Sequence, residues 1–154
     1  MAEVHLEDGE PREAREMASS AVALFREVGH RKGTATALTT MARAQLALAE
    51  RFEAFRAVAE ALECFDALGE RQGAAEALHL AANVHLAAAE PRDALQAAGQ
   101  ARVLFQELGD VRGEARALHA TARAHLAAGD AADSGAALQA AEEARRLLGP
   151  LRDA

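Results

Sequence analysis

An internal repeat constrains this chain more than any other feature of its sequence. Positions between the repeated turns keep the same register: Leu38 recurs as Leu78 and Leu118, and Ala42 as Ala82 and Ala122. The turns themselves recur at a spacing of 40 residues, as Val28-Gly29-His30-Arg31-Lys32-Gly33, Leu68-Gly69-Glu70-Arg71-Gln72-Gly73 and Leu108-Gly109-Asp110-Val111-Arg112-Gly113. A fixed period of this size indicates an array of stacked units that share one continuous core.

The period extends over the whole chain of 154 residues and predicts a single repeat domain. We expect a partial repeat at 1–28, repeats at 29–68, 69–108 and 109–148, and a tail at 149–154, where Leu148-Gly149 begins a fourth turn. The segment Ala2–Leu6 matches Ala82–Leu86. We therefore expect the chain to begin inside a helix, either as a piece of a longer array or as an array with a ragged start.

Composition and spacing predict that every repeat is a pair of antiparallel helices. The chain holds 43 Ala and no Ile, and only 3% of its residues are aromatic, which favours helix over sheet. Apolar residues at i, i+3, i+4 and i+7 place the first helix of each repeat at about 32–49, 72–88 and 112–128, and the second at about 11–28, 51–68, 91–108 and 132–148. The Gly of each turn is expected in the left-handed conformation that ends a helix. Pro11 and Pro91 are expected in the first turn of a helix. Asp110 is expected to be a better N-cap than Glu70 or His30.

Small and large apolar residues have separate expected places in this stack. Ala42, Ala82 and Ala122, with Ala54 and Ala94 opposite, let paired helices approach closely, and Phe65 and Phe105 wedge between successive pairs. In the last helix Gly135 and Arg145 replace large apolar residues, which is typical of a terminal cap with a polar outer face. Its apolar line is expected at Leu138, Ala141, Leu147 and Leu148.

The two-helix unit, the Leu-Gly-Asp-x-x-Gly linker at 108–113 and the Ala at the tight crossing resemble tetratricopeptide repeats. The 40-residue period is similar to that of kinesin light chains, spindle-orientation adaptors and bacterial transcription regulators with helical sensor arrays. The resemblance implies an all-α solenoid of antiparallel helix pairs forming a right-handed superhelix of about three and a half repeats. This chain departs from the family at Gln45, His85 and His125, which stand where an aromatic is usual, and at Ala49 and Ala89, which stand where Gly is usual.

The resemblance also implies which positions face a concave groove on the first helices. They are Thr36, Thr39, Arg43 and Ala47; Glu76, His79, Asn83 and Ala87; and Arg116, His119, Arg123 and Ala127. We select as partner-binding residues Arg43, His79, Asn83, Arg116, His119 and Arg123. Their positive charge would suit an acidic segment, since Arg binds carboxylates through a planar fork, although ordinary solvated helix residues would give the same pattern.

Charge, cysteine content and hydropathy exclude several classes of function. A net charge of −7 argues against a nucleic-acid partner, because a duplex-binding surface is basic. One cysteine, Cys64, allows no internal disulfide, and the acidic N-terminus does not resemble a secretory signal. The longest uncharged stretch, Leu78–Ala89, is too short to span a membrane. We therefore predict a cytoplasmic protein.

The sequence carries no recognisable catalytic or cofactor-binding motif. It has no phosphate-binding glycine loop, no Ser nucleophile motif and no zinc-type spacing of Cys and His, so we predict no enzyme activity, no cofactor and no metal site. Five of the six His follow from the repeat itself, His5, His85 and His125 at one equivalent position and His79 and His119 at another. Cys64 is expected to be a small buried apolar residue.

Three functions remain open. The first is an interaction scaffold that binds a peptide or protein segment in the groove, with an acidic segment as one alternative. The second is a structural or self-assembling subunit that associates through its ends, with homo-association expected at the N-terminal end, where Leu24 and Phe25 lack a cap. The third is a sensor array within a larger regulatory protein.

Overall fold

A computed structural model describes residues 10–129 and 131–152 of the chain, and every secondary-structure element in that part is an α-helix. We number the seven helices in chain order: α1 Pro11–Glu27, α2 Arg31–Ala47, α3 Arg51–Leu68, α4 Arg71–Ala87, α5 Pro91–Leu108, α6 Val111–Ala128 and α7 Ala131–Arg152. The expected bounds are confirmed to within two residues for α1 to α6. The match of Ala2–Leu6 to a later helix lies outside the described residues.

Consecutive helices pack against one another along the whole array, as expected for an all-α solenoid of the tetratricopeptide-like kind. Among the described residues, the backbones of the first helices α2, α4 and α6 also approach each other in order. The second helices lie farther apart and meet through long side chains, as in the ion pairs Arg26–Glu60 between α1 and α3 and Arg102–Glu143 between α5 and α7. Because one row of helices is drawn together and the other is spread apart, the stack is curved and the first helices lie on its inner side.

Alanine sets the close approach of the paired helices. Ala42, Ala54, Ala82 and Ala94 are each fully buried, and Ala122 is 5% exposed. The rings of Phe65 and Phe105 are also buried, and Phe105 shares an apolar cluster with Ala75 of α4 and with Ala117 of α6. The predicted wedge between successive helix pairs is therefore confirmed. Cys64 is only half-buried, although it packs against the main core.

Left-handed glycines follow α1, α3, α5 and α6, whereas Ala49 and Ala89 take this conformation after α2 and α4. Gly29, Gly69 and Gly109 have φ angles of +70°, +65° and +68°, and Gly129 has a φ of +84°. The Nδ1 atom of His30 and the Oδ1 atom of Asp110 each accept a hydrogen bond from a glycine N–H three residues later, both at 2.8 Å. His30 is thus a full N-cap, whereas Glu70 makes no side-chain cap.

The last helix differs from the prediction in two respects. First, α7 does not end near 148 but continues through Gly149 and Pro150 to Arg152, and Gly149 does not adopt the left-handed conformation that Gly69 and Gly109 have. Second, the predicted apolar line is wrong at Leu138 and Ala141, which are exposed. Small residues face α6 instead, and the buried positions are Ala137, Ala140 and Ala144, with Leu147 and Leu148 partly buried beside them.

Candidate functional site

The inner side of the curve holds a groove of about 530 Å³ whose walls come from the three first helices. The side chains that line it are Thr39, Arg43, Leu46 and Ala47 of α2; Glu76, His79, Leu80, Asn83 and Ala87 of α4; and Arg116 and Arg123 of α6. Residues 40 apart project from neighbouring helices in register, because each unit repeats the same helical face. A segment lying in the groove would therefore cross all three helices.

The structure brings together five of the six residues selected from the sequence. Arg43, His79, Asn83, Arg116 and Arg123 line the groove, whereas His119 is exposed on α6 and lies outside its lining. Leu46 and Leu80 also line it and were not selected. A large apolar residue reads as core in a sequence pattern, and only the curvature of the array exposes one edge of these two side chains to the groove.

Arg116 and Glu76 form an ion pair across the groove floor. Two guanidinium nitrogens of Arg116 donate to the two carboxylate oxygens of Glu76, at 2.6 and 3.2 Å. The hydrogen bond to Glu76 raises the pKa of Arg116 above its ordinary value, while burial acts in the opposite direction. The Arg116 guanidinium also lies over the Phe105 ring, 5.5 Å from its centroid. Arg116 therefore contacts both a buried ring of the core and the Glu76 carboxylate in the groove.

A second polar chain links Arg123, Asn83 and His79. Arg123 donates to the Oδ1 atom of Asn83 at 3.2 Å, and this contact fixes the orientation of the amide. The Nδ2 atom of Asn83 then faces His79, 3.2 Å from its carbonyl oxygen and 3.3 Å from its Nε2 atom. Because Nδ2 can only donate, Nε2 of His79 accepts, and the ring proton of neutral His79 lies on Nδ1.

His79 is held neutral by its surroundings. Burial lowers the pKa of the imidazole to about 4, and the positive charge of Arg116 acts in the same direction, whereas Glu76 opposes it. The Nδ1 atom is buried and has no hydrogen-bond partner within the described part of the chain. A buried donor without an acceptor costs about 1–3 kcal/mol, so this N–H group, which solvent in the groove does not reach, lowers the stability of the fold.

The charges that remain available lie at the two sides of the groove. Among residues 10–129 and 131–152 we find no ion pair to Arg43, and Arg123 contacts only the neutral amide of Asn83. Arg116 is neutralised by Glu76. The groove thus presents free guanidinium groups on α2 and α6 with a neutral polar centre on α4 between them.

Outside the groove, His85, Glu90 and Asp93 offer ligand atoms that lie within 4.8 Å of one another. Nδ1 of His85 is 2.7 Å from the Glu90 carboxylate, and Nδ1 of His125 is 2.7 Å from Asp133 one repeat later. These contacts join the last turn of a first helix to the start of the following second helix. We interpret them as links that stabilise the turn.

Comparison with known proteins finds similar chains among solved structures. No family model and no curated protein matches the chain. A solved structure described as a kinesin light chain of Podosopora anserina with nearly identical TPR-like repeats is similar to it, with 16% sequence identity and a TM-score of 0.43, over 99% of this chain and 93% of the other.

No helix among residues 10–129 and 131–152 combines the length and the apolar character that crossing a membrane requires.

Proposed function

We propose that this protein is an interaction scaffold that binds an extended acidic segment of a protein partner in the groove formed by α2, α4 and α6. The observation that carries the proposal is the local reversal of charge. The groove lining holds three Arg and one Glu in a chain whose net charge is −7. A carboxylate-bearing segment is the complement of such a surface, and Arg is the side chain best suited to hold it.

The positions of the free Arg side chains suggest the spacing of the acidic residues. Arg43 and Arg123 occupy equivalent positions on α2 and α6, with one first helix between them. Packed helices lie about 8–10 Å apart, so the two positions are roughly 16–20 Å apart along the groove. An extended chain rises about 3.3 Å per residue, so two carboxylates separated by about five or six residues would contact both Arg side chains.

The binding mechanism rests on preorganisation. The first helices are fixed by their neighbours, and the Arg123–Asn83–His79 chain orients the centre before a partner arrives. A receptor that does not reorder loses less entropy when it binds. Most of the affinity is expected from Arg43 and Arg123, with Arg116 contributing when Glu76 releases it.

Charge reversal in the groove tests the proposal. Replacing Arg116→Glu and Arg123→Glu together should abolish capture of the partner from a cell extract, and should reduce binding of a fluorescent peptide with paired Glu residues by at least a hundredfold. Circular dichroism should show unchanged helicity. A matched control, Arg12→Glu with Arg92→Glu, changes the net charge equally on the exposed second helices and should leave binding unaltered. If the Arg116→Glu, Arg123→Glu variant bound the peptide as tightly as the control variant and the unaltered protein do, the groove would not be the binding site.

A second candidate function is self-association through the N-terminal end. It is favoured by one observation: Phe25 is only half-buried, whereas the equivalent Phe65 and Phe105 are 5% and 0% exposed. An exposed apolar face is a recognised association surface. Mass measured by light scattering should then rise with concentration, and groove substitutions should not change it.

A cytoplasmic location stays a prediction from the sequence, as does the absence of enzyme activity.

A further inference from the structure

A cavity of about 370 Å³ lies between the second helices α1 and α3, with α2 as its floor. The floor residues are Leu38, Met41 and Gln45, and Val22 of α1 and Ala57 of α3 contribute to the walls. Because the second helices lie on the outer side of the curve, the cavity opens away from the groove, and the two share no lining residue. It is bounded by α1 on one side and by α3 on the other, so it is a space between repeats and not an uncovered end of the array.

The two ends of the cavity differ in polarity. Arg26, in the last turn of α1, forms an ion pair with Glu60 of α3, and both side chains line the cavity. Gln45 lies in the last turn of α2, which runs antiparallel to α1, and therefore lines the opposite end. The apolar Met41 lies between them, one turn before Gln45. A ligand would thus meet a neutralised ion pair at one end, an apolar middle and a carboxamide at the other end.

Gln45 is a buried polar side chain without a partner. It is only 8% exposed, and its Oε1 atom is buried with no hydrogen-bond partner within the described part of the chain. Its Nε2 atom likewise makes no hydrogen bond to residues 10–129 or 131–152. Leaving a buried polar group unpaired is costly, so a partner for this carboxamide would stabilise the fold.

The next repeats show what satisfies this position. At His85, the residue equivalent to Gln45, Nδ1 lies 2.7 Å from the carboxylate of Glu90 at the start of the following helix, and a contact of the same kind recurs one repeat later. The acid equivalent to Glu90 is Glu50, but it forms an ion pair with Arg15 of α1. The contact available to the later repeats is therefore already used here, and Gln45 faces the cavity alone.

The unpaired carboxamide selects the chemistry of a ligand. Its Nε2 donates and its Oε1 accepts; a carboxylate can only accept and an ammonium can only donate, whereas a second carboxamide does both. The terminal torsion of Gln is broad, so the side chain can turn either atom toward the cavity. Glu53 and Arg56, which line the cavity from exposed positions on α3, carry opposite charges and favour neither an anion nor a cation. The complement is therefore a neutral amide.

We propose that the cavity between α1 and α3 binds a small apolar molecule that ends in a carboxamide. The carboxamide pairs with Gln45, and the apolar part packs against Met41, Val22 and Ala57. The volume is that of a small-molecule site, and the ion pair across one end argues against an extended chain running along α1 and α3. The site lies on the other side of α2 from the groove and stands or fails independently of it.

Four related probes test the proposal by NMR of the full chain labelled with carbon-13 in the methionine methyl groups. They share one apolar body and differ in the end group: 3-phenylpropanamide, its N,N-dimethyl amide, 3-phenylpropanoate and 3-phenylpropylamine. The primary amide should shift the methyl signal of Met41, which lines the cavity, and not that of Met17, which does not. It should bind about tenfold more tightly than each of the others, because it alone satisfies both polar atoms of Gln45.

Variants at position 45 assign the preference to the carboxamide. Gln45→Met keeps the length of the side chain, removes both polar atoms and should bring the four affinities within about twofold of one another. Gln45→Glu can only accept and should transfer the preference to 3-phenylpropylamine. The matched control is Gln100→Met, which removes an exposed glutamine of α5 and should keep the preference for the primary amide.

The proposal is overturned if the primary amide binds no more tightly than its N,N-dimethyl amide, or if its advantage survives Gln45→Met. Failure of every probe to shift the Met41 signal also overturns it, because the cavity then holds only water.

Discussion

The ring of Phe105 lies so close to the backbone of Gly113 that a β-carbon at position 113 would overlap ring atoms. The same relation joins Phe65 to Gly73 and Phe25 to Gly33. In each repeat, an aromatic ring near the end of a second helix packs on the bare backbone at the start of the next first helix. The second Gly of each turn motif is therefore fixed by packing, and the first by its φ angle.

This contact predicts that Gly113→Ala destabilises the protein by about 1–3 kcal/mol, the usual cost of overpacking a core. The loss should occur although Ala is better than Gly by about 1 kcal/mol inside a helix. Urea unfolding followed by circular dichroism measures the free energy of unfolding. Gly99 is the matched control, since it is exposed within α5 and its β-carbon would meet nothing within 4 Å.

Gly99→Ala should stabilise the protein by up to about 1 kcal/mol, because only helix propensity changes there. If Gly113→Ala raised the unfolding free energy as much as Gly99→Ala, the Phe105–Gly113 contact would not be a constraint.

Left-handed alanines at two turns predict stabilising substitutions. Ala49 and Ala89 have φ angles of +61° and +59°, a region that costs a residue with a β-carbon about 1–2 kcal/mol. Ala49→Gly and Ala89→Gly should each raise the unfolding free energy by about 0.5–1 kcal/mol, after the greater entropy of Gly in the unfolded chain is deducted.

The adjacent Ala88 supplies the control, since it has a right-handed conformation with a φ of −84°. Ala88→Gly should lower the thermal midpoint while Ala89→Gly raises it. Midpoints that shift in the same direction would contradict the assignment of strain to the φ angle.

His79 predicts a loss of stability in mild acid. Its pKa is about 4 in the folded chain and 6.5 in the unfolded chain, so the unfolded chain binds the extra proton first. The free energy of unfolding should be constant above pH 6.5 and fall as the pH drops from 6.5 to about 4, by at most about 3 kcal/mol. NMR titration of the imidazole should give a midpoint near 4.

His79→Gln should remove this part of the pH dependence, whereas His119→Gln should preserve most of it, because His119 is a lesser cause of the lowered pKa than burial and Arg116. An NMR midpoint above 6 for His79 would show that the imidazole is solvated.

Glu76 predicts a gain in binding when its charge is removed. Its carboxylate occupies both donating nitrogens of Arg116. Glu76→Gln should therefore free Arg116 and tighten binding of a peptide with paired Glu residues by about three- to tenfold. Stability should change by less than about 1 kcal/mol, because both side chains of the ion pair are partly exposed. Weaker binding by Glu76→Gln would indicate that Glu76 itself contacts the ligand.

Neutralising a carboxylate elsewhere controls for net charge. Glu63→Gln on the exposed side of α3 changes the total charge by the same amount and should leave peptide affinity unchanged.

The sequence determined the helices and their order, because helix signals are local. Gly69 and Gly109 mark left-handed ends, Pro91 marks a first turn, and the apolar spacing between them fixes one face. One local signal failed: Gly149 follows a Leu as Gly69 and Gly109 do, yet it does not adopt a left-handed φ, and α7 continues through it to Arg152. Leu138 was assigned to the buried face for a separate reason. A large apolar residue is expected in a core, but here the smaller Ala137 and Ala140 face α6 and allow the two helices to approach closely.

Tertiary structure alone decided which charges remain free in the groove. The register of 40 residues placed Glu76 and Arg116 at equivalent positions, yet only the distance between α4 and α6 shows that their side chains pair while Arg43 has no such partner among the described residues. The exposure of Phe25, the neutral state of His79 and the strain at Ala89 likewise depend on what lies within a few ångströms. Periodicity is a property of the chain, whereas pairing, burial and desolvation depend on distances that arise only when the units are stacked.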